Sequence, residues 1–502
     1  MHLLLLLPMA CTGSEPCADG YGKLGDGTCV PLDDGTDTPA PADTARPDTD
    51  PPTDTAPPAD DTGEPAGAEL PDWTYGDPLV SVNDYDMTDH FFEAVEALIF
   101  HDDYGLVGGQ GGWLVVDLRT GTEVHWENTD RIYYLAHDAS TERVWIGTRY
   151  GGIRCLDVSD PEDIVDGDDC DIQALDANAH DDLAAAGGLV LVAGQEQGAL
   201  LYDGSGNALG SFAADNATSV AMTTDRALVA DGATLHLVDL SDPSDPTSLD
   251  SIELDATARD IAFDGARGVV AMTAHGVAVV DIEGDGLVDR GSYEVGGTAN
   301  RVALDGDWAY SASWTQFEVA WVGDEGPVMV GHEPAVQYAF GIAARDGRVL
   351  GADWFHAQTL AHDPEVAGPE LDLPVEVLFT EPDQAVAVTV KNQGVMDLEV
   401  AFASPNDDYS VSPGELTLEP GTSSAVVVTA VGEPAGVNLE ISSNDPDELA
   451  VQLQMRWGTY VLGQQPDDFT LEGFEYPDNK TRNYSLHDLR GKPTFLAFWA
   501  EY

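Results

Sequence analysis

The sequence predicts a mainly β chain, with a seven-bladed β-propeller over residues 76–365 and a two-sheet sandwich over 366–457. Two observations carry that prediction. First, an apolar strand ending in an acidic residue recurs at Trp113–Asp117, Ile153–Asp157, Leu200–Asp203, Leu235–Asp239 and Val277–Asp281, with degenerate copies at Val319–Trp321 and Thr359–His362. The last positions step by 40, 46, 36, 42, 40 and 41 residues. A period of roughly forty residues with four short strands each is that of a propeller blade. Second, the period stops after residue 365, and alternating strands follow at roughly 8–12-residue spacing, as in antiparallel sandwiches.

Each repeat supplies a whole blade. A strand such as Arg259–Asp264 or Asn300–Asp305 closes on Asp-Gly, a sequence that favours a tight hairpin. An apolar strand such as Gly268–Met272 follows, then the recurring phrase, then a polar-alternating strand such as Ser251–Asp255. One blade cannot bury both its faces, so stacking around a ring makes the core. In this register the first strands place Glu96, Tyr134, Asp182, Ser219, Asp260, Arg301 and Gly341 on a central channel. Acids facing an Arg and a Tyr suit a cation or a small polar ligand; they equally suit solvated channel walls. The segment Leu79–Val82 is expected to add a strand where the ring closes.

The recurring phrase resembles the LVIVD-type propeller repeats of bacterial surface proteins, over a little more than half of the chain. That resemblance implies a fold and no particular chemistry, because one fold hosts many functions.

Composition limits the partners. Twenty Lys and Arg stand against 91 Asp and Glu, a formal net charge of −71, and the lysines are Lys23, Lys391, Lys480 and Lys492. Such a surface repels phosphate backbones and acidic membranes, which argues against nucleic-acid binding. Solubility in a salty medium and divalent-cation binding both remain open as causes.

Residues 1–11 read as an export signal: a Leu run precedes Ala10-Cys11, which resembles a bacterial lipoprotein cleavage site with Cys11 as the lipidated residue. No Lys or Arg precedes the Leu run, which departs from that pattern. Residues 12–75 hold Cys17 and Cys29 and then Asp33–Glu64, a run of Asp, Thr, Pro and Ala too poor in apolar side chains to fold, expected as a disordered tether. With Cys11 lipidated, the remaining four cysteines pair as Cys17–Cys29 and Cys155–Cys170, the second across the third and the start of the fourth strand of one blade.

In the sandwich segment, Val386–Val390 alternates, and Val390–Gly394, Leu418–Gly421 and Ser443–Pro446 resemble immunoglobulin-like domains of the ASPM/Hydin type. That implies a spacer or interaction module. Residues 458–502 change character again. Leu462–Leu471, Tyr484–Pro493 and Thr494–Ala500 resemble the opening of a thioredoxin-fold redoxin, so this segment is expected as an incomplete thioredoxin fold. The family's reactive Cys follows the Phe-Trp-Ala strand at a helix N-terminus, which lowers its pKa. That position falls after Tyr502, so no catalytic residue is assigned within the chain.

Other constellations are sparse. Asp281, Glu283, Asp285 and Asp289, with Gly286 at the sixth position, match the ligand spacing of a calcium loop. Ser292 replaces its bidentate Glu, and a plain acidic turn is the competing reading. His101, His180 and His356 read as loop or rim residues. No zinc spacing or nucleophile elbow occurs.

The sequence therefore points to an exported, lipid-anchored surface protein of the cell envelope, expected to serve binding or display without catalysis in this chain. Its partner is expected to be an unknown protein or a small polar ligand, with membrane contact through the lipid alone and no cofactor beyond calcium. The alternative is the N-terminal portion of a membrane-anchored thiol–disulfide oxidoreductase whose catalytic cysteines lie beyond residue 502.

Overall fold

In the computed structural model, residues 71–457 are described apart from short internal stretches, the longest being 88–94 and 173–180. Outside that range only the backbones of His2–Leu4, Tyr21–Lys23, Cys29–Pro31, Thr470–Glu475, Lys480–Ser485 and Ala497–Trp499 are described, all as strands. Cys11, Cys17, His180 and most of the redoxin-like segment lie outside the described residues, as does the Cys29 side chain.

The described chain is mainly β. Five successive four-stranded antiparallel sheets begin with the strands Val95–His101, Ile132–Asp138, Asp182–Ala186, Ala217–Met222 and Asp260–Phe263. A seven-stranded sheet follows, in the order Arg301–Asp305, Trp308–Ala312, Trp314–Trp321, Val328–Arg345, Arg348–Asp353, His356–His362 and Leu79–Asp86. The 18-residue strand Val328–Arg345 joins two four-stranded units, pairing with Trp314–Trp321 on one side and Arg348–Asp353 on the other. Leu79–Asp86, from before the repeats, supplies the outer strand beside His356–His362.

Each first strand packs beside the first strand of the next sheet, and Val328–Arg345 packs against Val95–His101. Cores form between neighbouring sheets. Leu191, Leu201, Val220 and Val229 share one, and Leu228, Leu237, Val270 and Val280 share the next. The burial follows from sequence, because second strands such as Leu189–Ala193 and Arg267–Ala271 are nearly continuous apolar runs covered on both faces.

The terminal Asp of the recurring phrase has a local job. Asp117, Asp157, Asp203 and Asp239 each accept a hydrogen bond from the backbone N–H two residues on, at Arg119, Ser159, Ser205 and Ser241. This Asx turn starts the reversal into the fourth strand.

Residues 366–457 form two packed sheets around Phe379, Val388, Val390, Val426, Leu439, Ile441 and Leu453. Alternate residues of Ala385–Asn392 and Ser423–Ala430 point inward. One pairing departs from the expected antiparallel pattern: Glu376–Phe379 runs parallel to Ala450–Trp457. The chain leaves one sheet after Leu371–Asp372 and enters the other at Glu376, and Pro374, which has no N–H to donate, sits at the crossing.

The sequence reading put Cys170 at the start of a fourth strand, and the structure does not. That strand is Val165–Asp166, and Cys170 lies beyond it in a turn, its N–H bonded to the Gly167 carbonyl. The Asp- and Gly-rich run 163–169 favours turns over a ladder. Cys155 and Cys170 are joined as a disulfide with a Cα–Cα distance of 5.7 Å.

Candidate functional site

The first strands surround a cavity of about 490 Å³ whose lining includes Tyr134, Asp182, Asp260 and Arg301. The two carboxylates are occupied by neighbouring strands. Asp182 accepts from Leu183 N–H at 2.8 Å, and its other oxygen accepts from the Ser219 hydroxyl at 2.6 Å and Val220 N–H at 3.1 Å. Asp260 accepts from Val302 N–H at 2.8 Å and from Arg301 at 3.1 Å. Arg301 also donates to the Tyr133 carbonyl and stacks over the Tyr134 ring at 5.1 Å. Burial pushes the Asp182 carboxyl up to about 7, with Asp260 adding repulsion, and burial raises Asp260 as well.

Of the channel residues expected from sequence, Tyr134, Asp182, Asp260 and Arg301 line the cavity. Ser219 does not: it is fully buried behind the wall, tied to Asp182. Ile342–Arg345 face the cavity from the strand that carries Gly341, and the Glu96 side chain lies outside the described residues. The Asp–strand bonds make the acids struts between adjacent first strands, 37 to 42 residues apart in sequence.

The calcium-loop reading is corrected. Asp281 and Glu283 belong to the strand Val277–Glu283, and Gly286 opens the next strand, so a tight hairpin replaces the loop. Arg267 and Arg290 hold Asp281, Arg290 holds Glu283, and Arg226 holds Asp285. Asp289 accepts from Gly291 N–H. His101 is not a rim residue either: it is 4 % exposed, and its Nδ1 is 3.2 Å from Nε2 of His137 on the neighbouring sheet. His356 pairs with Asp84 on the closing strand.

The structure also assembles a group that sequence reasoning missed. The turn into each third strand contains a residue of positive φ. In five sheets a glycine holds it, at Gly112, Gly152, Gly198, Gly232 and Gly276, and in two of those turns Gln195 and Thr273 hold it as well. A Cβ at Gly276 would lie 2.1 Å from the Tyr293 carbonyl oxygen, so the turn demands glycine there. In the last two units the positive-φ residues are tryptophans, Trp314 at 66° and Trp354 at 44°. Bulky residues rarely hold this conformation, and where they do the strain is often functional.

These tryptophans belong to one aromatic cluster. Trp314 packs on Tyr338 at 5.2 Å and Phe340 at 5.4 Å, and Trp354 packs on the same two rings at 5.7 and 5.4 Å. Phe355 extends the row. Trp314 is 43 % and Tyr338 40 % exposed, so rings that would gain by burial face water. Two buried carboxylates hold their supports. Glu318 accepts from the Ser311 and Ser313 hydroxyls, Gln316 Nε2 and Gly296 N–H, fixing the turn that carries Trp314. Asp353 accepts from the N–H groups of Gln337 and Tyr338. The available signal was Trp in the turn before the third strand of each of the last two repeats.

Residues 214–252 match the family model of the LVIVD repeat. The stretch spans the fourth four-stranded sheet, including its terminal Asp239. With the succession of small antiparallel sheets, it makes the repeat region β-propeller-like. A solved structure titled "Structure of U3-55K" is similar over 57 % of this chain and 98 % of that chain, at 10 % identity and a TM-score of 0.45. No curated protein matches the chain.

Proposed function

We propose that this chain is a binding or display protein of the cell envelope, built on a closed ring of seven blades with an immunoglobulin-like module behind it. The observation that carries the reading is the aromatic cluster of Trp314, Tyr338, Phe340, Trp354 and Phe355, in which Trp314 and Tyr338 are exposed and Trp314 and Trp354 occupy strained turn positions. Strain retained by a solvent-facing aromatic ring is accounted for by recognition and not by folding. The ligand is neutral or cationic and offers a flat apolar face, because a chain of net charge −71 repels anions.

The ring is supported by the succession of first strands from Val95–His101 to Val328–Arg345, whose ends pack together. The channel acids serve as struts, which leaves the face carrying the aromatic cluster as the binding surface. Export and anchoring rest on the lipoprotein-like Ala10-Cys11. Replacing Cys11 with Ser is expected to release the chain from the membrane fraction, and retention there contradicts the anchor.

Recognition is tested by adsorption of the purified chain to isolated cell-envelope material, beside a Trp314→Ala/Trp354→Ala variant. The reading expects at least roughly tenfold weaker adsorption by the variant, the loss of about 1.4 kcal/mol or more that two aromatic anchors supply. Equal adsorption contradicts it.

A further inference from the structure

Where the repeat sheets meet the sandwich, acidic side chains from separate segments converge on one imidazole. His332 comes from the long strand Val328–Arg345, and Glu370 from the connection that enters the sandwich. Asp445 and Asp447 come from the turn between Val437–Ser443 and Ala450–Trp457. His332 and Glu370 are 6 % and 3 % exposed, and Asp445 is fully buried. One ligand atom from each of His332, Glu370 and Asp447 lies within 4.8 Å of the others. Nδ1 of His332 faces Oε1 of Glu370, and Nε2 lies 3.8 Å from Oδ2 of Asp447.

A separate observation points to a ligand. Oδ2 of Asp445 accepts from Leu371 N–H at 2.6 Å, but its buried Oδ1 has no donor among the described residues. That carboxyl sits against Asp447 and near Glu370. Oε1 of Glu370 and Nδ1 of His332 face each other as an ion pair, which leaves Asp445 Oδ1 as the unpartnered atom of the cluster among the described residues. Buried polar atoms are nearly always satisfied, and a bound ion is one means of satisfying them.

The charge balance agrees. Asp77, Glu333 and Glu448 adjoin the cluster, and the positive charge opposing each of them is His332. Six carboxyls around one imidazole cannot all ionise without a negative excess, and a divalent cation removes that excess.

The geometry points to a divalent-cation site held by His332, Glu370, Asp445 and Asp447, which ties the sandwich to the repeat domain. One imidazole with carboxylates suits Zn²⁺ or Mn²⁺ better than an all-oxygen ion such as Mg²⁺ or Ca²⁺. Because the ligands come from both modules, the ion would hold them together much as a structural zinc holds a small domain.

The test is calorimetric titration of the metal-free full chain with Zn²⁺ or Mn²⁺ in buffer containing excess Mg²⁺, which occupies the many surface acids. The expected result is one saturable site per chain, weakened roughly tenfold to a hundredfold or more in Glu370→Gln and in Asp447→Asn. It should be unchanged in Asp285→Asn, whose carboxylate lies in the turn between Val277–Glu283 and Gly286–Tyr293 and pairs with Arg226. X-ray absorption of the loaded native chain should show an imidazole nitrogen in the metal shell, a reading that does not depend on how the variants fold. Loading should also slow proteolysis of the connection around Gly368–Asp372. Absence of a saturable site, equal affinity in the two ligand variants, or an all-oxygen shell overturns the proposal.

Discussion

Trp314 and Trp354 hold left-handed backbone in the turns into the last two third strands, and Gln195 and Thr273 hold it at the matching place in two earlier repeats. Such a conformation costs about 1–3 kcal/mol for a residue with a side chain. Trp314→Gly removes that cost and the exposed ring together. It is expected to leave the urea midpoint unchanged or higher while weakening ligand adsorption; a stability loss above about 1 kcal/mol would show that the ring is structural.

Titration acts at the same scale. Burial pushes the Asp182 carboxyl up to about 7 in the folded chain, from an ordinary value of 3.8. Between those values the folded state binds more protons than the unfolded state, so this contribution is complete below about pH 4 and is lost as pH rises towards 7. Burial raises Glu318 and Asp353 in the same direction. Hydrogen bonds hold Asp157 and Asp239 low, so their contribution is present above about pH 4 and is lost below it. Chemical denaturation is therefore expected to give higher stability at about pH 5 than at pH 7. A profile rising steadily from 5 to 7 contradicts the assignment of buried, protonated acids.

At the scale of elements, the sequence revealed what is local. The Asp closing each third strand was visible because its partner, the N–H two residues on, lies within the same turn. The period followed from those positions. The ties between sheets were not visible, because their partners lie a whole repeat away. Asp138 accepts from Gly187 and Gly188, Asp182 from Ser219, and Asp305 from Gly347. Arginines opening second strands repeat the device: Arg143 reaches the Gly204 carbonyl, Arg226 that of Gly284, and Arg348 reaches Asp103. Chain order likewise separates His332 from Asp447, so the junction cluster emerges only on folding.

The strand Leu79–Asp86 completes the seven-stranded sheet beside His356–His362, and Leu79 is fully buried against Tyr310, Phe317 and Leu360. Leu79→Ala is expected to cost about 2–5 kcal/mol and to speed amide exchange in His356–His362 before other strands. Uniform acceleration across all sheets contradicts that role.

Across the whole molecule, the charge of −71 opposes compaction. Screening shortens that repulsion to about 10 Å at 0.1 M salt. The melting temperature is therefore expected to rise between low and moderate ionic strength, and a fall would mean that the arginine ties outweigh the repulsion. The repeat region and the sandwich were legible as sheet-forming segments, since period and alternation are written along the chain. Their junction was not, because it depends on which side chains meet across the connection.

An experimental density map of the chain, at a resolution that separates strands, tests the central claim most directly. The account predicts seven four-stranded blades around one channel, with Leu79–Asp86 as the outer strand of the last and Trp314 and Trp354 side by side on one face. Six or eight blades, an open ring, or the two tryptophans on separate faces would contradict it.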